Sequence, residues 1–240
     1  MVHRAAPVSG VRIYAHRGAS AELPENTMAA FRRAVELGVD ALELDIHRSR
    51  DGVLVVCHDP DGRRRAGTPE RIAERSFAEL QRWDVGGGER IPRFEDVVTE
   101  FAPMPLNVDL KRDIADDTVA LLRRLGAEER VCLASFQART LWRVRALGYA
   151  GPTALSRPEV LAALALPAGA RRGPLRCRAA RAQLPLSLAR PWIVARMKGL
   201  GLAVDFWTVD DPAVARRLVA LGADGVMTND PRRILAALRG

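Results

Sequence analysis

Val11-Arg12-Ile13-Tyr14-Ala15-His16-Arg17-Gly18-Ala19-Ser20 decides between the two folds open to this 240-residue chain. Residues 11–15 have the short apolar pattern of a strand. The turn that follows would carry Gly-x-Gly-x-x-Gly in a dinucleotide-binding sheet, and here it reads His16-Arg17-Gly18-Ala19-Ser20. The open, doubly wound alternative fails at that turn. Working outward, the same strand-then-helix unit recurs to the end of the chain. Strand patterns at 41–46, 106–110, 130–134, 152–155, 180–184, 203–208 and 224–227 alternate with helical ones. The helical patterns cover 28–37, 94–101, 115–125, 138–147, 157–164, 191–199, 212–221 and 231–238. Eight such units in this length predict one α/β domain over residues 1–240, a (β/α)8 TIM barrel.

The helix ends carry their own signals. Leu37-Gly38, Leu125-Gly126, Leu147-Gly148 and Leu221-Gly222 place glycine where a left-handed residue stops a helix. Pro212 and Pro231 each follow an Asp, the pairing expected of an N-cap and a first helical residue. One region breaks the alternation. Residues 53–57 return from the second strand through Arg50-Asp51-Gly52 as a hairpin partner. From 61 to 93 the chain is polar and glycine-punctuated, too long for an ordinary connection. It is expected to form a small insertion over the barrel mouth.

Composition narrows the function. Hydrophobic residues make up 48% of the chain, enough for a substantial core. No run approaches the ~20 apolar residues of a membrane helix, so no stable membrane insertion is expected. Met1-Val2-His3-Arg4-Ala5-Ala6-Pro7 lacks the apolar segment of a signal peptide, which makes the cytoplasm the expected location. Cys57, Cys132 and Cys177 have neither disulfide nor zinc spacing and read as inert thiols. The net charge of +8 is almost all arginine. The clusters Arg63-Arg64-Arg65 and Arg171-Arg172 have no interleaved aromatics, so they read as solvated faces and no nucleic-acid partner is expected. The only lysines are Lys111 and Lys198, which singles out Lys111 as a residue chosen for its chemistry.

Barrel enzymes place their chemistry at the C-terminal ends of the strands. His16 and Arg17 follow the first strand. Glu43 and Asp45 alternate with Leu42, Leu44 and Ile46, so both carboxylates project from one face of the second. Asp109 and Lys111 do the same on the third, and His58-Asp59 closes the hairpin. Buried carboxylates need neutralising. Two arrangements would do it: ion pairs with Arg17 and Lys111, or one divalent cation on Glu43, Asp45 and Asp109. All-oxygen donors would select Ca²⁺ or Mg²⁺. A cation, two cationic side chains and two imidazoles suit phosphodiester cleavage, which needs charge neutralisation, a base and an acid.

The same residues resemble the glycerophosphodiester phosphodiesterase family nearly end to end. Ala15-His16-Arg17-Gly18 with Pro24-Glu25-Asn26-Thr27 looks like its opening signature, followed by Glu43-Leu44-Asp45, Asp51-Gly52 and His58-Asp59-Pro60. Ile91-Pro92-Arg93-Phe94-Glu95-Asp96, Asn107-Val108-Asp109-Leu110-Lys111 and Ser135-Phe136 are similar to later blocks, in order. So are Phe206-Trp207-Thr208-Val209-Asp210 and the stretch from Gly222 to Pro231. The resemblance implies a small-molecule glycerophosphodiester substrate. It makes His16 and His58 the acid–base pair, Arg17 and Lys111 the phosphate ligands, and Glu43, Asp45 and Asp109 the metal ligands. It further implies attack by the substrate's own hydroxyl to give a cyclic phosphate that water opens. Trp207 would pack on the head group, while Glu25 and Asn26 would support the site from behind. Two features depart from the pattern: Asp109 stands where the family usually has Glu, and the insertion is short and lacks a threonine-rich run.

Two rivals remain at this stage. A lysophospholipase D or sphingomyelinase D-like activity would want an apolar lip, for which residues 161–167 are the candidate. A non-catalytic phosphate- or nucleic-acid-binding barrel would account for the charge but has no use for two histidines.

Overall fold

The structure, a computed structural model, describes residues 10–165 and 179–240; Met1–Pro7, Arg171-Arg172 and Cys177 lie outside them. Four strands come from the first part of the chain: β1 (Arg12–His16), β2 (Ala41–Arg48), β3 (Leu54–Val56) and β4 (Leu106–Leu110). Four follow: β5 (Val131–Ala134), β6 (Arg181–Pro185), β7 (Ala203–Trp207) and β8 (Gly225–Thr228). Helices α1 (Met28–Leu37), α2 (Phe77–Leu80), α3 (Phe94–Glu100), α4 (Ala115–Arg124) and α5 (Ala138–Ala146) occupy the first part. The remainder holds α6 (Arg157–Ala165), α7 (Pro191–Gly199), α8 (Pro212–Ala220) and α9 (Pro231–Arg239).

The strands pair in the order β5-β4-β2-β1-β8-β7-β6, all parallel, with β3 antiparallel to β2 at the side. The two ends of this sheet meet through Thr153 and Ala154, which bridge in parallel to Leu133 of β5 and Arg181 of β6. This closes the (β/α)8 barrel. The strand expected over 152–155 is thus reduced to two bridging residues. Pro152 has no N–H to give the ladder. Ser156 has already turned to the next helix, its N–H and hydroxyl both donating to Glu159 at 2.7 Å.

Alternation along the strands separates a dry outer face from a polar interior. Leu42, Leu44 and Ile46 join the large core between strands and helices, as do Ile13, Ala15 and Val226. Facing the other way are Tyr14, Glu43, Asp45, Asn107, Asp109 and Asp205, every one buried. Toward the strand N-termini Arg181 clasps Asp205 through two nitrogens and lies over the Tyr14 ring at 5.8 Å. That bidentate pair fills the lower barrel. Register sets the upper level. His16 pairs with Glu43, Glu43 with Asn107, and Asp45 with Asp109, so strands β1, β2 and β4 bring these side chains side by side.

The caps expected before Pro212 and Pro231 are present, and α1 has one as well. Thr27 accepts from Ala30 N, Asp211 from Ala213 N at 2.7 Å, and Asp230 from Arg233 N at 3.0 Å. Residues 61–93 contain α2 and, with Val55, a separate small core of Ile72, Leu80, Trp83, Val85 and Ile91. Cys57 and Cys132 are free thiols, and burial pushes both up to about 12, so neither ionises near neutrality.

The turn into α1 requires its glycine. Gly18 has φ +83, and an added Cβ would lie 2.7 Å from the backbone carbon of Ala30. Gly38, at the end of the same helix, has φ +86 with open space around it. Gly38→Ala is therefore expected to cost only the left-handed penalty, about 1 kcal/mol and roughly 2–4 °C in Tm. Gly18→Ala adds a backbone clash and should lower Tm by at least about twice as much. Calorimetry on the two variants checks this; equal shifts would show that the β1–α1 approach is looser than described.

Candidate active site

A cavity of about 610 Å³ is lined by residues from the C-terminal ends of the strands. His16, Arg17, Glu43, Asp45, His58, Asp109, Lys111 and Trp207 all line it. Glu25 and Asn26 do not; each stands one contact behind. Glu25 accepts from Arg17 Nη1 at 3.0 Å, and Asn26 Nδ2 donates to Asp45 Oδ2 at 3.0 Å.

Charge balance governs the carboxylates. Lys111 Nζ lies 2.7 Å from Asp45 and 2.6 Å from Asp109, and Arg17 Nε is 3.1 Å from Asp45. Burial raises the Asp45 pKa, but Lys111 and Arg17 outweigh it and the net shift is downward. Asp109 has Lys111 alone, and burial together with the Asp45 charge carries it upward. Glu43 has no lysine or arginine side chain beside it. Its Oε2 accepts only the Arg17 backbone N–H at 3.1 Å and lies 3.8 Å from His16 Nε2. Burial, then Asp45 and Asp109, push its carboxyl well above the usual range. Ion pairing thus serves Asp45 fully, Asp109 in part and Glu43 not at all.

The backbone is held out of its ordinary conformation at this point. Among the described residues only Arg17 (φ 59) and Asn26 (φ 58) are non-glycine residues with positive φ. Both contact Asp45, and Arg17 is bound besides by Glu43 and Glu25. Each such residue costs of order 1–3 kcal/mol and persists where its surroundings over-determine it.

His16 and His58 each have the ring fixed through Nδ1. His58 Nδ1 donates to Asp59 Oδ1 at 2.7 Å, and Arg64 in turn holds Asp59 at 2.6 Å and Glu25 at 2.5 Å. His16 Nδ1 meets Asn229 Oδ1 at 2.7 Å. The amide orientation is set by Asp210, which accepts from Asn229 Nδ2 and from its backbone N–H, both at 2.8 Å. An oxygen faces His16, so Nδ1 carries the proton and Nε2 keeps its lone pair. Burial lowers the His16 pKa, which keeps the ring neutral near pH 7. A third histidine, His47, donates from Nε2 to the His58 carbonyl at 3.1 Å and is held neutral by burial.

Sequence reasoning had given no role to Asn229, Asp210 or His47. Most of the apolar cavity wall, Phe136, Leu155, Val160, Leu184 and Leu188, was likewise without a role, while Leu161 falls in the expected lip, whose residues 166 and 167 lie outside the described ones. Trp207 packs edge-to-face on Phe136 with centroids 5.9 Å apart, and Lys111 Nζ lies 5.9 Å from the Phe136 ring. The result is a pocket with a charged end and an apolar side.

Glu43, Asp45 and Asp109 suit a hard divalent cation in donor chemistry, since all three offer only oxygen. Asp109 Oδ1 is buried without a hydrogen-bond partner, an atom such an ion would satisfy. Among the described residues, however, no three His, Cys, Asp or Glu side chains already surround a common point. The Lys111 ammonium stands between Asp45 and Asp109 instead.

Comparison with known proteins places this geometry in context. The sequence profile described as "Glycerophosphoryl diester phosphodiesterase family" matches residues 16–233. A protein of Mycobacterium tuberculosis named probable glycerophosphodiester phosphodiesterase 2 is 33% identical over 230 residues, 90% of this chain and 86% of its own length. A mouse (Mus musculus) lysophospholipase D is 28% identical over 270 residues, covering 94% of this chain and 81% of the relative. Among solved structures, an Oleispira antarctica phosphodiesterase in complex with the product sn-glycerol-3-phosphate superposes with a TM-score of 0.80 at 25% identity. That match covers 95% of this chain and 97% of the other.

The amide-fixed tautomer has a direct spectroscopic consequence. In metal-free protein, ¹⁵N-edited NMR is expected to show His16 protonated on Nδ1, titrating below the free-imidazole range. The Asn229 hydrogen bond favours the charged ring, so Asn229→Ala should lower that pKa further. An upward shift in the variant, or an Nε2-protonated ring in the wild type, would contradict the assignment.

Proposed function

The chain belongs to the glycerophosphoryl diester phosphodiesterase family, and we propose that it hydrolyses glycerophosphodiesters to glycerol phosphate and an alcohol. The observation that carries the reading is the paired histidines. Both rings are pinned at Nδ1, by Asn229 and by Asp59, and both open on one cavity that also holds Arg17 and Lys111. Binding alone would need no such pair.

His16, neutral and with a free Nε2, takes the proton of the attacking substrate hydroxyl. The oxygen bonds to phosphorus as the bond to the leaving alcohol breaks, and His58 delivers a proton to that departing oxygen. The cyclic phosphate then opens with the roles exchanged: His58 takes a proton from water and His16 returns one to the ring oxygen. Arg17 and Lys111 offset the charge on the non-bridging oxygens. Asp210, Asn229 and Asp59 act through the histidines by holding their tautomers. Glu43, Asp45 and Asp109 would hold one Ca²⁺ or Mg²⁺, which when bound supplies further neutralisation of the phosphate and of the carboxylates themselves. Trp207 and Phe136 offer an aromatic face to the leaving group.

A second reading has specific support. The apolar wall of the cavity, with Leu161 60% exposed at its edge, is the lip a lysophospholipase D would use, and one relative carries that name. Release of glycerol phosphate from glycerophosphocholine supports the first reading. Turnover confined to micellar lysophosphatidylcholine supports the second.

His16→Ala and His58→Ala are each expected to lower turnover by ~10²–10⁴-fold without altering the melting temperature appreciably. Steady-state assays check this, and activity retained in both variants would refute the acid–base pair. Chelation by EDTA should abolish turnover, with Ca²⁺ or Mg²⁺ restoring it; a fully active metal-stripped enzyme would remove the cation from the account.

A further inference from the structure

The excess of positive charge in this chain falls in one stretch of its sequence. Of its 37 Lys and Arg residues, twelve lie between 131 and 204, where only one of the 29 Asp and Glu residues, Glu159, occurs; four of the twelve, Arg171, Arg172, Arg176 and Arg178, lie outside the described residues, and Arg143, Arg181 and Lys198 pair with acids from other parts of the chain. The rest of the chain is slightly acidic, with 25 basic residues against 28 acidic. Much of the single acid's charge is spent on Arg145, with which it forms a buried pair. Arg139, Arg157 and Arg190 are exposed and form no ion pair with any described residue.

The same stretch carries the exposed apolar surface. Among the described residues five large hydrophobic side chains are exposed, and four of them, Phe136 (67%), Trp142 (53%), Leu161 (60%) and Trp192 (60%), fall within it. Three of the four, Phe136, Leu161 and Trp192, fall at or beside the cavity mouth. Phe136, Leu161 and Arg157 line the mouth of the cavity, as does Leu188 just before Arg190 and Trp192. Helices α6 and α7, which bear Leu161 and Trp192, pack on each other. Single exposed apolar residues need no explanation, but large ones set beside unpaired arginines at a cavity mouth do.

We propose that this face, built from the β5–α5, α6 and β6–α7 connections, docks on an anionic phospholipid surface and presents the cavity mouth to it. Arginine heads meet the lipid phosphates, each basic residue near such a surface being worth about fivefold in affinity. Phe136, Leu161 and Trp192 enter the headgroup region, where an aromatic ring with a polar edge is at home. The attachment is peripheral, since no helix among the described residues is long and apolar enough to cross a membrane. An aliphatic side chain such as Leu161, continuous with the apolar cavity wall, has a use at a lipid surface and none on a nucleic-acid phosphate backbone. Docking rests on the proposed function only in that the face borders the substrate entrance.

Co-sedimentation with vesicles tests it without turnover. Wild-type protein should pellet with phosphatidylcholine vesicles containing 30 mol% phosphatidylglycerol, and at least about tenfold less with pure phosphatidylcholine. Arg190→Glu combined with Trp192→Ser lies outside the cavity lining. It should lose at least about tenfold in vesicle affinity while glycerophosphocholine turnover and melting temperature stay at the wild-type level. Should that variant not fold, the wild type in 0.05 M against 0.5 M NaCl gives a second reading, because the arginine contribution is screened away at the higher salt. Equal binding to both vesicle types, no binding, or an unaffected double variant would overturn the proposal. So would tighter binding to an oligonucleotide than to the anionic vesicles. A protein that docks but does not hydrolyse would count against the proposed function alone.

Discussion

Three carboxylates held inside a barrel of apolar strands are the constraint around which this molecule is arranged. Removing a carboxylate from water costs several kcal/mol unless opposite charge is brought to it. Glu43, Asp45 and Asp109 stand on neighbouring positions of β2 and β4, and the side chains of Arg17 and Lys111 reach only Asp45 and Asp109. The unpaired remainder, Glu43 and one oxygen of Asp109, is where the pocket still has electrostatic work to do. Much of the local structure serves the same end. Arg17 and Asn26 accept unfavourable backbone conformations to touch Asp45, Glu25 holds Arg17 in place, and Arg64 ties Glu25 to Asp59 and so to His58. One network thus links the proposed phosphate ligands to the proposed acid.

That network occupies only one end of the cavity. The opposite wall is apolar, and beside it stand the exposed arginines Arg139, Arg157 and Arg190 and, among the described residues, the exposed side chains of Phe136, Leu161 and Trp192. Polar head and apolar tail of an amphiphile would find matching surroundings in one pocket. Chemistry at the charged end and delivery from the apolar side are separate demands, met by different strands: β1, β2 and β4 for the first, β5 through β7 for the second.

Much of this was legible in the sequence because strand periodicity and loop chemistry are local. The alternation Leu42-Glu43-Leu44-Asp45-Ile46 announces a strand with one polar face, and Asp211-Pro212 and Asp230-Pro231 announce helix starts that the structure places at those residues. Where local rules compete, the reading weakened: at 152–155 a proline and the helix cap at Ser156 left two residues for the ladder. The tautomer relay was not legible, since His16 and Asn229 are 213 positions apart and no local pattern links them. His47 was hidden because it continues the polar face of β2 and carries no motif of its own. The apolar wall draws single residues from several units, so the one segment that reads as a lip, 161–167, announces only Leu161 of it. The basic side was overlooked for a different reason. Arginines that occur in ones and twos look like solvated helix faces until the near-absence of acids around them is counted.

Glu43, Asp45 and Asp109 are proposed to form one cation site, and Lys111 offsets their negative charge only in part. Titration calorimetry with Ca²⁺ and with Mg²⁺ addresses it without reference to turnover. One divalent ion is expected to bind per chain, with binding lost when Asp45 is changed to Asn. An isotherm without heat for either ion, or undiminished affinity in the Asp45→Asn protein, would contradict it.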